Sequence, residues 1–413
     1  MPIATGVFKR VSIKKQTGLG VPAAAGAAGT AQYLRRVTST IDLTKAAYTS
    51  AEILVSQQRR DMRHGVRSVT GTISGELSVG GYQLPMESVL RQVSQVAATT
   101  GALTTITSAS SGAGSYSGTF TRSAGSFITD GFKIGDVVRF TGWTAPALGN
   151  NAINYVVTAL TATVMTVRTL NQTDIIAKAA GDSVTLSVAG KKTWLPQSGQ
   201  TRDYYTIEHF FSDISVSERF TDCVFADINL TLPASGMATV NFPVMGINAI
   251  TGVAEYFTSP SPQAVGPIIA SVNGVLLVNG LVVATITSLT ISVKGNYAGA
   301  SGVVGSNTEP DIFPGVVDTT GSATVLFSDT TMRDLFYNET ESSITVVLTG
   351  DNTANAPIFA INLPRVKFSG ATKDDHPLGL AQTMPFTALE NVLGGAGTAT
   401  LATSVSIQDS MFI

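Results

Sequence analysis

Charged residues make up only 13% of this 413-residue chain, against a usual share of about 25%. Gly, Thr, Ser, Ala and Val are abundant instead, and this mixture suits short strands and turns. β-Branched side chains fit a pleated sheet, and glycine supplies turn conformations. A surface with so few charges indicates that neighbouring subunits cover much of it. The composition therefore predicts a mainly β protein that belongs to an assembly.

The chain has a single cysteine, Cys223, which excludes an internal disulfide and disfavours a cysteine-based metal site. We expect this side chain to be a small core residue. The three histidines, His64, His209 and His376, show neither an HExxH motif nor a paired metal spacing. His376 follows two aspartates, but no nucleophile motif accompanies it, and a polar turn is the better interpretation.

Neither a Walker loop nor a complete dinucleotide fingerprint is present, since Gly18-Leu19-Gly20 lacks the third glycine. The sequence therefore predicts no catalytic residue, no metal site and no cofactor, and the protein is not expected to be an enzyme.

No long apolar run is present either. The most apolar segment, residues 265–286, is interrupted by Asn273-Gly274 and Asn279-Gly280. It therefore stays short of the roughly 18 uninterrupted apolar residues of a membrane helix. These Asn-Gly pairs predict tight turns between strands. We also expect no secretory signal, because no charged segment followed by an apolar one opens the chain.

The few charges are unevenly distributed. Residues 1–95 hold 12 Lys and Arg against 5 Asp and Glu, whereas the remainder holds 14 against 23. Such asymmetry indicates a nucleic-acid patch or a basic-to-acidic contact between subunits. The basic part lacks the interleaved aromatic residues of a base-stacking surface, which favours the subunit contact.

One stretch of sequence occurs twice. Residues 65–78 and 315–328 align at a constant offset of 250, which matches Gly65 with Gly315, Gly71 with Gly321 and Ser78 with Ser328. Repeats at so long a period indicate two copies of a domain, since solenoid repeats run about 20 to 50 residues.

The neighbouring segments repeat as well. The strand pattern at 40–43 recurs at 290–293, and 21 residues separate each from the repeated stretch, at 44–64 and 294–314. An amphipathic helix is predicted over 84–98, with a shorter helical signal at 331–336. Connections as long as 21 residues are usually functional or ordered by a partner, because most loops run about 4 to 6 residues.

Several short strand patterns between 119 and 190 have no match in the second copy and indicate a small inserted barrel or sandwich. The preceding stretch, 99–118, is interpreted as a linker or a meander of small residues. The predicted organisation is an N-terminal arm (1–30) that orders only against neighbours, a first domain (31–98 and 200–256), an inserted small β domain (99–199), a linker (257–266), a second domain (267–390) and a C-terminal tail (391–413).

Taken together, these units resemble the tail tube proteins of long-tailed bacteriophages. The resemblance rests on the order strand, long loop, strand, helix, which occurs over 40–98 and again over 290–336. It covers about 31–98 and 200–390, and the insert is similar to the extra outer domains that some tube proteins carry. The resemblance implies two tandem β-sandwich or barrel domains, each with a short helix, plus a small inserted β domain.

The simplest members of that family have one tube domain per chain and form hexameric rings. Two domains in one chain therefore imply rings of three chains with pseudo-sixfold symmetry, stacked into the tube of a virion tail and assembled in the host cytoplasm. Other tail proteins are expected at the tube ends. Double-stranded DNA is expected to pass without sequence-specific binding, an acidic lumen would ease that passage, and no membrane is involved.

By the same resemblance, the segments 44–64 and 294–314 reach the adjacent ring. The basic run 59–64 is interpreted as a contact with phosphate or with an acidic patch on a neighbour. The alternative interpretation is that this run is a solvated face of the loop. The candidate inter-ring contact residues are Arg59, Arg60, Arg63, His64, Tyr297 and Asp311.

A second function stays open at this point. An adhesin of a phage or cell surface would use the inserted β domain to bind a receptor or a glycan. Deleting the insert would abolish binding by such an adhesin.

Overall fold

The computed structural model describes residues 3–26, 31–374 and 379–412. Within them, nearly all regular structure is antiparallel β, together with two α-helices and two short 3-10 helices (Gly6–Phe8 and Ala147–Asn150). The prediction of a mainly β protein is confirmed.

The elements fall into three groups along the chain. The first group comprises β1 (Lys9–Lys15), β2 (Gln32–Tyr33), β3 (Thr38–Ser39), β4 (Asp42–Thr49), β5 (Met62–Glu76) and α1 (Gln83–Leu90). An insert follows, with β6 (Ile106–Ser110), β7 (Ser117–Arg122), β8 (Val137–Thr141), β9 (Tyr155–Leu160), β10 (Val164–Thr169) and β11 (Thr185–Val188). The first group then resumes with β12 (Lys191–Trp194), β13 (Tyr205–Phe211), β14 (Val216–Phe225), β15 (Asp227–Pro233), β16 (Thr239–Gly246) and β17 (Asn248–Gly252).

The last group begins with β18 (Gly274–Val278), β19 (Leu281–Val282), β20 (Ile286–Lys294), β21 (Ala298–Gly299), β22 (Ile312–Phe313) and β23 (Asp318–Leu326). It continues with α2 (Thr331–Tyr337), β24 (Ser342–Thr349), β25 (Ile358–Phe368), β26 (Thr372–Lys373), β27 (Ala381–Ala388) and β28 (Ser406–Asp409). The turn between β18 and β19 is the predicted Asn279-Gly280 pair, and both residues have positive φ angles (52° and 75°).

The first and last groups share one topology, and we call them the first and second copies. In the first copy, β1 pairs with β2 and β13, and β14 pairs with β13 and β17. In the second, β18 pairs with β19 and β24, and β25 pairs with β24 and β28. The ladder β4–β5–β16 of the first copy likewise corresponds to β20–β23–β27 of the second.

The strand register repeats at the offset found in the sequence. Asp42 lies opposite Thr70, and adding 250 to both numbers gives Ser292 opposite Thr320, which is also an observed pair. Bulges repeat too, since the register shifts between Tyr205 and Ile207 in β13 and at the matching point of β24. The chain therefore contains the same arrangement of strands twice, while the numerical domain boundaries stay predictions.

Gly71 and Gly321, which the sequence repeat aligns, lie where two strands approach closely. A Cβ atom on Gly71 would lie 2.6 Å from the carbonyl oxygen of Thr40, and one on Gly321 would lie 2.3 Å from that of Thr290. Both distances are too short for non-bonded atoms. The recurrence of glycine in the repeat thus reflects one steric requirement that both copies share.

The core lies on one face of these strands. Apolar side chains alternate with polar ones along the strands and point to that face, and the buried cluster is continuous across both copies. In the first copy, α1 covers the cluster with the buried side chains of Met86, Val89 and Leu90. Cys223 lies in the same cluster as a fully buried core residue, as predicted, and burial raises the pKa of its thiol well above the ordinary range.

The helix predicted over 84–98 ends earlier than the sequence pattern indicated. Arg91 adopts a left-handed conformation (φ 54°), and its amide donates to the carbonyl of Ser88 while the amide of Gln92 donates to that of Glu87. These bonds close the last turn of α1. The apolar residues beyond it are not a buried stripe, since Val96 is 84% exposed.

Both terminal segments contribute strands to the fold, and the arm, which was expected to order only against neighbours, pairs within its own chain. All seven residues of β1 pair with β13, and Val11 and Ile13 are buried. In the tail, β28 pairs with β12 on one side and with β25 on the other.

The insert has a sheet and a core of its own. Its strands lie in the order β11-β8-β9-β10-β7-β6, around a buried aromatic group that includes Phe120, Phe140 and Tyr155. Because β6 lies inside the stretch 99–118, that stretch is part of the meander rather than a linker. A buried ion pair, Lys192 with Asp136 at 2.9 Å, joins the insert to the strand that leads back into the first copy.

Candidate assembly interface

The two copies are joined edge to edge into one sheet. β15 of the first copy pairs with β20 of the second through seven residue pairs, from Asp227 opposite Lys294 to Pro233 opposite Ser288. The strands β4, β5, β16, β15, β20, β23 and β27 therefore follow one another in a single antiparallel run. We call the β15–β20 pairing and the contacts beside it the intrachain junction.

The face of this sheet that points away from the core is polar and nearly uncharged. Small hydroxyl and amide side chains occupy it on every strand of the run, including Thr70, Thr72, Ser74, Asn229, Thr231, Asn241, Thr290, Ser292, Thr320, Ser322 and Thr383. Neighbouring strands are linked across this face, since Ser292 donates to Asn229 at 2.6 Å and Ser74 donates to Asn241 at 3.3 Å. Charged residues stand near the strand ends, such as Asp227 and Lys294 at one end of the intrachain junction.

The run ends in two strand edges. Among the described residues, β3 and β4 pair only with β5, and β26 pairs only with β27. Unpaired edges present rows of free N–H and C=O groups that accept a further strand. The sheet thus carries an attachment point at each end.

The segment 44–64, predicted as a long loop, is largely a hairpin. β4 continues to Thr49 and β5 begins at Met62, so only residues 50–61 form a loop. The strands continue because their residues still pair beyond a register shift between Lys45 and Ala47, with Tyr48 opposite Arg63. At the tip, the apolar side chains of Ile53 and Val55 are 100% and 104% exposed.

Four of the predicted contact residues lie on this exposed hairpin. Arg59 donates to the hydroxyl of Thr49 at 3.0 Å, and Arg63 donates to the carboxylate of Asp61 at 2.8 Å. Arg60 and His64 are exposed beside them. The structure thus brings together Arg59, Arg60, Arg63 and His64, and their contact with an adjacent ring stays a prediction.

The other two predicted residues lie elsewhere, inside the intrachain junction. Tyr204 donates its hydroxyl to Asp311 at 2.6 Å, and Arg202 forms an ion pair with the same carboxylate. Burial acts to raise the pKa of Asp311, but these bonds outweigh it and the pKa lies below its usual range. Tyr297 packs against the buried cluster that contains Tyr204. Both Tyr297 and Asp311 are therefore engaged within the chain.

Arg91 is the residue at this junction that the sequence analysis missed. From the end of α1 in the first copy, its guanidinium donates to the carbonyls of Gly295 and Gly315 at 3.0 and 2.9 Å and lies over the ring of Tyr297. It is 7% exposed. It therefore ties the helix of one copy to both ends of the segment 294–314 of the other. No motif marks it, although aligning the two helix ends would have singled out its position.

The described residues do not bring potential metal ligands together. They contain no group of three or more His, Cys, Asp and Glu side chains that could hold a metal ion. His209 is buried in β13, with its Nε2 2.8 Å from the Ser39 hydroxyl, and His64 is on the hairpin. His376, considered as a general base, lies outside the described residues. No helix among the described residues is long and apolar enough to cross a membrane.

One comparison with known proteins identifies a family for this chain. The family model described as "Phage tail tube protein" matches residues 9–388, which is most of the chain. The matched range starts at the first residue of β1 and ends at the last residue of β27, so it includes the sheet run, both of its free edges and the insert. A search of curated proteins found no match. On the strength of the family match, the chain belongs to the phage tail tube protein family.

Proposed function

We propose that this protein assembles into rings of three chains that stack to form the tube of a phage tail, through which DNA is ejected. The observation that carries the proposal is the duplicated topology, with the two copies joined edge to edge and one edge left open at each end. Three chains joined through those edges would place six similar units around a ring. Antiparallel sheets that close on themselves leave no exposed edge.

The polar face of the sheet run supports the role of a conduit. In a closed ring whose core faces outward, the hydroxyl and amide side chains of this face would line the channel. Such a surface offers DNA neither a dense set of cations for phosphate nor aromatic platforms for bases. Double-stranded DNA would therefore pass without sequence-specific binding. The hydroxyl and amide side chains would make most of this surface neutral, and an acidic lumen stays a prediction.

The exposed hairpin supports ring stacking. Its two strands project beyond the sheet run, and its tip presents Ile53 and Val55 together with the arginines at 59, 60 and 63. Exposed apolar side chains on a projecting element are typical of a surface that a neighbour covers. The partner would be the adjacent ring, with other tail proteins at the tube ends, and assembly would precede incorporation into the virion in the host cytoplasm.

Electron microscopy and native mass spectrometry of the concentrated protein test the proposal. We expect rings or tubes with sixfold appearance, and a smallest closed species of about 129 kDa, three times the chain mass of 42.9 kDa. A protein that stays monomeric at high concentration would contradict the proposal. Rings with another number of chains would leave the proposed tube function standing but would contradict a ring of three chains.

A further inference from the structure

The intrachain junction shows how a strand edge of a first copy pairs with a strand edge of a second copy. We propose that residues 370–374 of one chain pair with residues 40–44 of the next chain in the register of the β15–β20 pairing, and that Glu339 of the first chain then lies beside Lys45 of the second. This inference rests on the proposed function, because it specifies how the ring closes. It follows from applying the internal repeat to the two free edges.

The first step is to find the counterpart of β15 in the second copy. Gly71 lies opposite Val244, and its counterpart Gly321 lies opposite Phe386. Adding 142 to a residue number in β16 therefore gives the number of its counterpart in β27. Asn229 lies opposite Asn241, and adding 142 to Asn241 gives Thr383, whose partner is Thr372. Thr372 in β26 is therefore the counterpart of Asn229 in β15.

The second step is to find the counterpart of β20 in the first copy. The offset of 250 that relates β4 and β20 assigns Ser292 to Asp42. Since Asn229 lies opposite Ser292 within the chain, Thr372 of one chain would lie opposite Asp42 of the next. The Ser292 hydroxyl donates to Asn229 at 2.6 Å, and a Thr372 hydroxyl facing the Asp42 carboxylate supplies the same kind of bond with the donor on the other strand.

The third step concerns the helix ends. The amide of Glu339 donates to the carbonyl of Phe336 and that of Thr340 to the carbonyl of Leu335, which repeats the closure of α1 by Arg91 and Gln92. Glu339 also has a left-handed conformation, with φ 52° against 54° for Arg91. Glu339 is therefore the counterpart of Arg91, and it is exposed whereas Arg91 is buried in the intrachain junction.

The two contacts differ in charge. Arg91 binds the carbonyls of Gly295 and Gly315, and subtracting 250 places Lys45 and Gly65 at the corresponding positions of the next chain. Lys45 is exposed at the free edge. Inside the chain, Arg91 binds backbone carbonyls. Between chains, Glu339 would instead form an ion pair with Lys45. This agrees with the basic excess of residues 1–95 and the acidic excess of the remainder.

The free edges and their charges also select the partner. β20 is already covered by β15 of its own chain, so the β26 edge of one chain meets either another β26 edge or the β3–β4 edge of the next chain. Glu339 would face Lys45 only in the second of these pairings, which favours joining the chains head to tail, as a closed ring requires.

Disulfide cross-linking tests the register. The double variant Asp42→Cys/Thr372→Cys places two thiols opposite each other between chains, while Cys223 is buried and does not compete. Within one chain these positions lie at opposite ends of the sheet run, roughly 34 Å apart along it at about 4.8 Å per strand. After oxidation of assembled rings, we expect covalent species of two and three chains on a denaturing gel. The matched control is Asp42→Cys/Lys373→Cys, whose second thiol points to the other face of β26 and should cross-link at least tenfold less.

Hydrogen exchange of the unmodified protein gives an independent measurement. Amides within 40–44 and 370–374 should become at least tenfold more protected when rings form. Rings that assemble with unchanged exchange at both edges, or with cross-linking no better than the control, would overturn this register and leave the tube function standing. A protein that never forms rings would overturn both proposals.

Discussion

Arg91 and Glu339 end the helices of the two copies at the same point and in the same left-handed conformation, yet they carry opposite charges. Arg91 is buried against the other copy, and Glu339 is exposed. The same position at the end of the helix thus forms a contact within the chain in the first copy and lies on the surface in the second. Charge is the property that distinguishes the two.

Reversing the charges at the proposed chain-to-chain contact tests this distinction. Lys45→Glu and Glu339→Lys should each raise the protein concentration needed for ring formation at least tenfold, because each places like charges together. The double variant Lys45→Glu/Glu339→Lys should restore most of the loss, since it recreates an opposite pair. Sedimentation velocity over a concentration series measures the effect.

The control for these variants is Thr163→Glu, which adds a charge to an exposed turn of the insert away from both edges. It should assemble normally. A double variant as defective as the two single variants together would show that Lys45 and Glu339 do not meet.

Replacing either repeated glycine should destabilise the fold. Gly71→Ala and Gly321→Ala place a Cβ atom 2.6 Å and 2.3 Å from a carbonyl oxygen, and overpacking of this kind costs about 1–3 kcal/mol or more. We expect a lower thermal unfolding midpoint for both variants. Gly101→Ala is the control, because no atom lies within 4 Å of the added Cβ. Equal midpoints for all three variants would contradict the steric argument.

The buried side chain of Gln408 should hold the insert on the body of the molecule. It accepts from the amide of Val137 and donates to the carbonyls of Val137 and Ala189, all at 2.8 Å. Gln408→Ala removes all three bonds. The Val137 carbonyl keeps its bond from the Ala189 amide at 2.9 Å, whereas the Val137 amide and the Ala189 carbonyl lose their Gln408 partner, at about 1–3 kcal/mol each where they stay buried. Faster proteolysis within the insert and a lower unfolding midpoint are expected. Gln95→Ala, at an exposed position, should change neither.

The carboxyl group of Asp409 should make stability fall as the pH rises. Asp409 is 1% exposed, and burial raises its pKa to about 7 despite bonds from the amides of Gly80 and Met411. Below the ordinary pKa of an aspartate the group is protonated in both states. As the pH rises from about 4 to about 7, the unfolded chain loses its proton first, so the stabilising contribution is progressively lost.

Asp409→Asn removes this titration. Relative to the natural protein, the variant should gain stability between pH 4 and pH 8, by at most about 4 kcal/mol at roughly 1.4 kcal/mol per pH unit. His209 acts in the opposite sense, because burial and the charges of Lys9 and Arg36 lower its pKa to about 3, and its contribution is lost as the pH falls through the range 6.5 to 3. The comparison isolates Asp409, since His209 is common to both proteins. Parallel curves of unfolding midpoint against pH would contradict the prediction.

Much of this fold was predictable because its strands alternate apolar and polar residues and because the repeat preserves spacing. The strand patterns predicted at 40–43 and 290–293 overlap β4 and β20. β1 was missed because four of its seven residues are Lys or Arg, and only pairing with β13 shows that Val11 and Ile13 are buried. β28 was missed because Gln408 and Asp409 are polar, and distant backbone groups satisfy them. Local sequence does not show that Tyr297 and Asp311 face their own chain. The contact of the other four candidate residues with an adjacent ring stays a prediction.

The covalent linkage of the two copies has a consequence for the kinetics of assembly. In a ring of six separate units, every contact forms between freely diffusing bodies, and each encounter loses translational and rotational freedom. In a ring of three of these chains, half of the contacts already exist when each chain has folded. If the proposed ring forms, folding would thus perform half of the assembly, at an effective local concentration that does not depend on how much protein the cell has made.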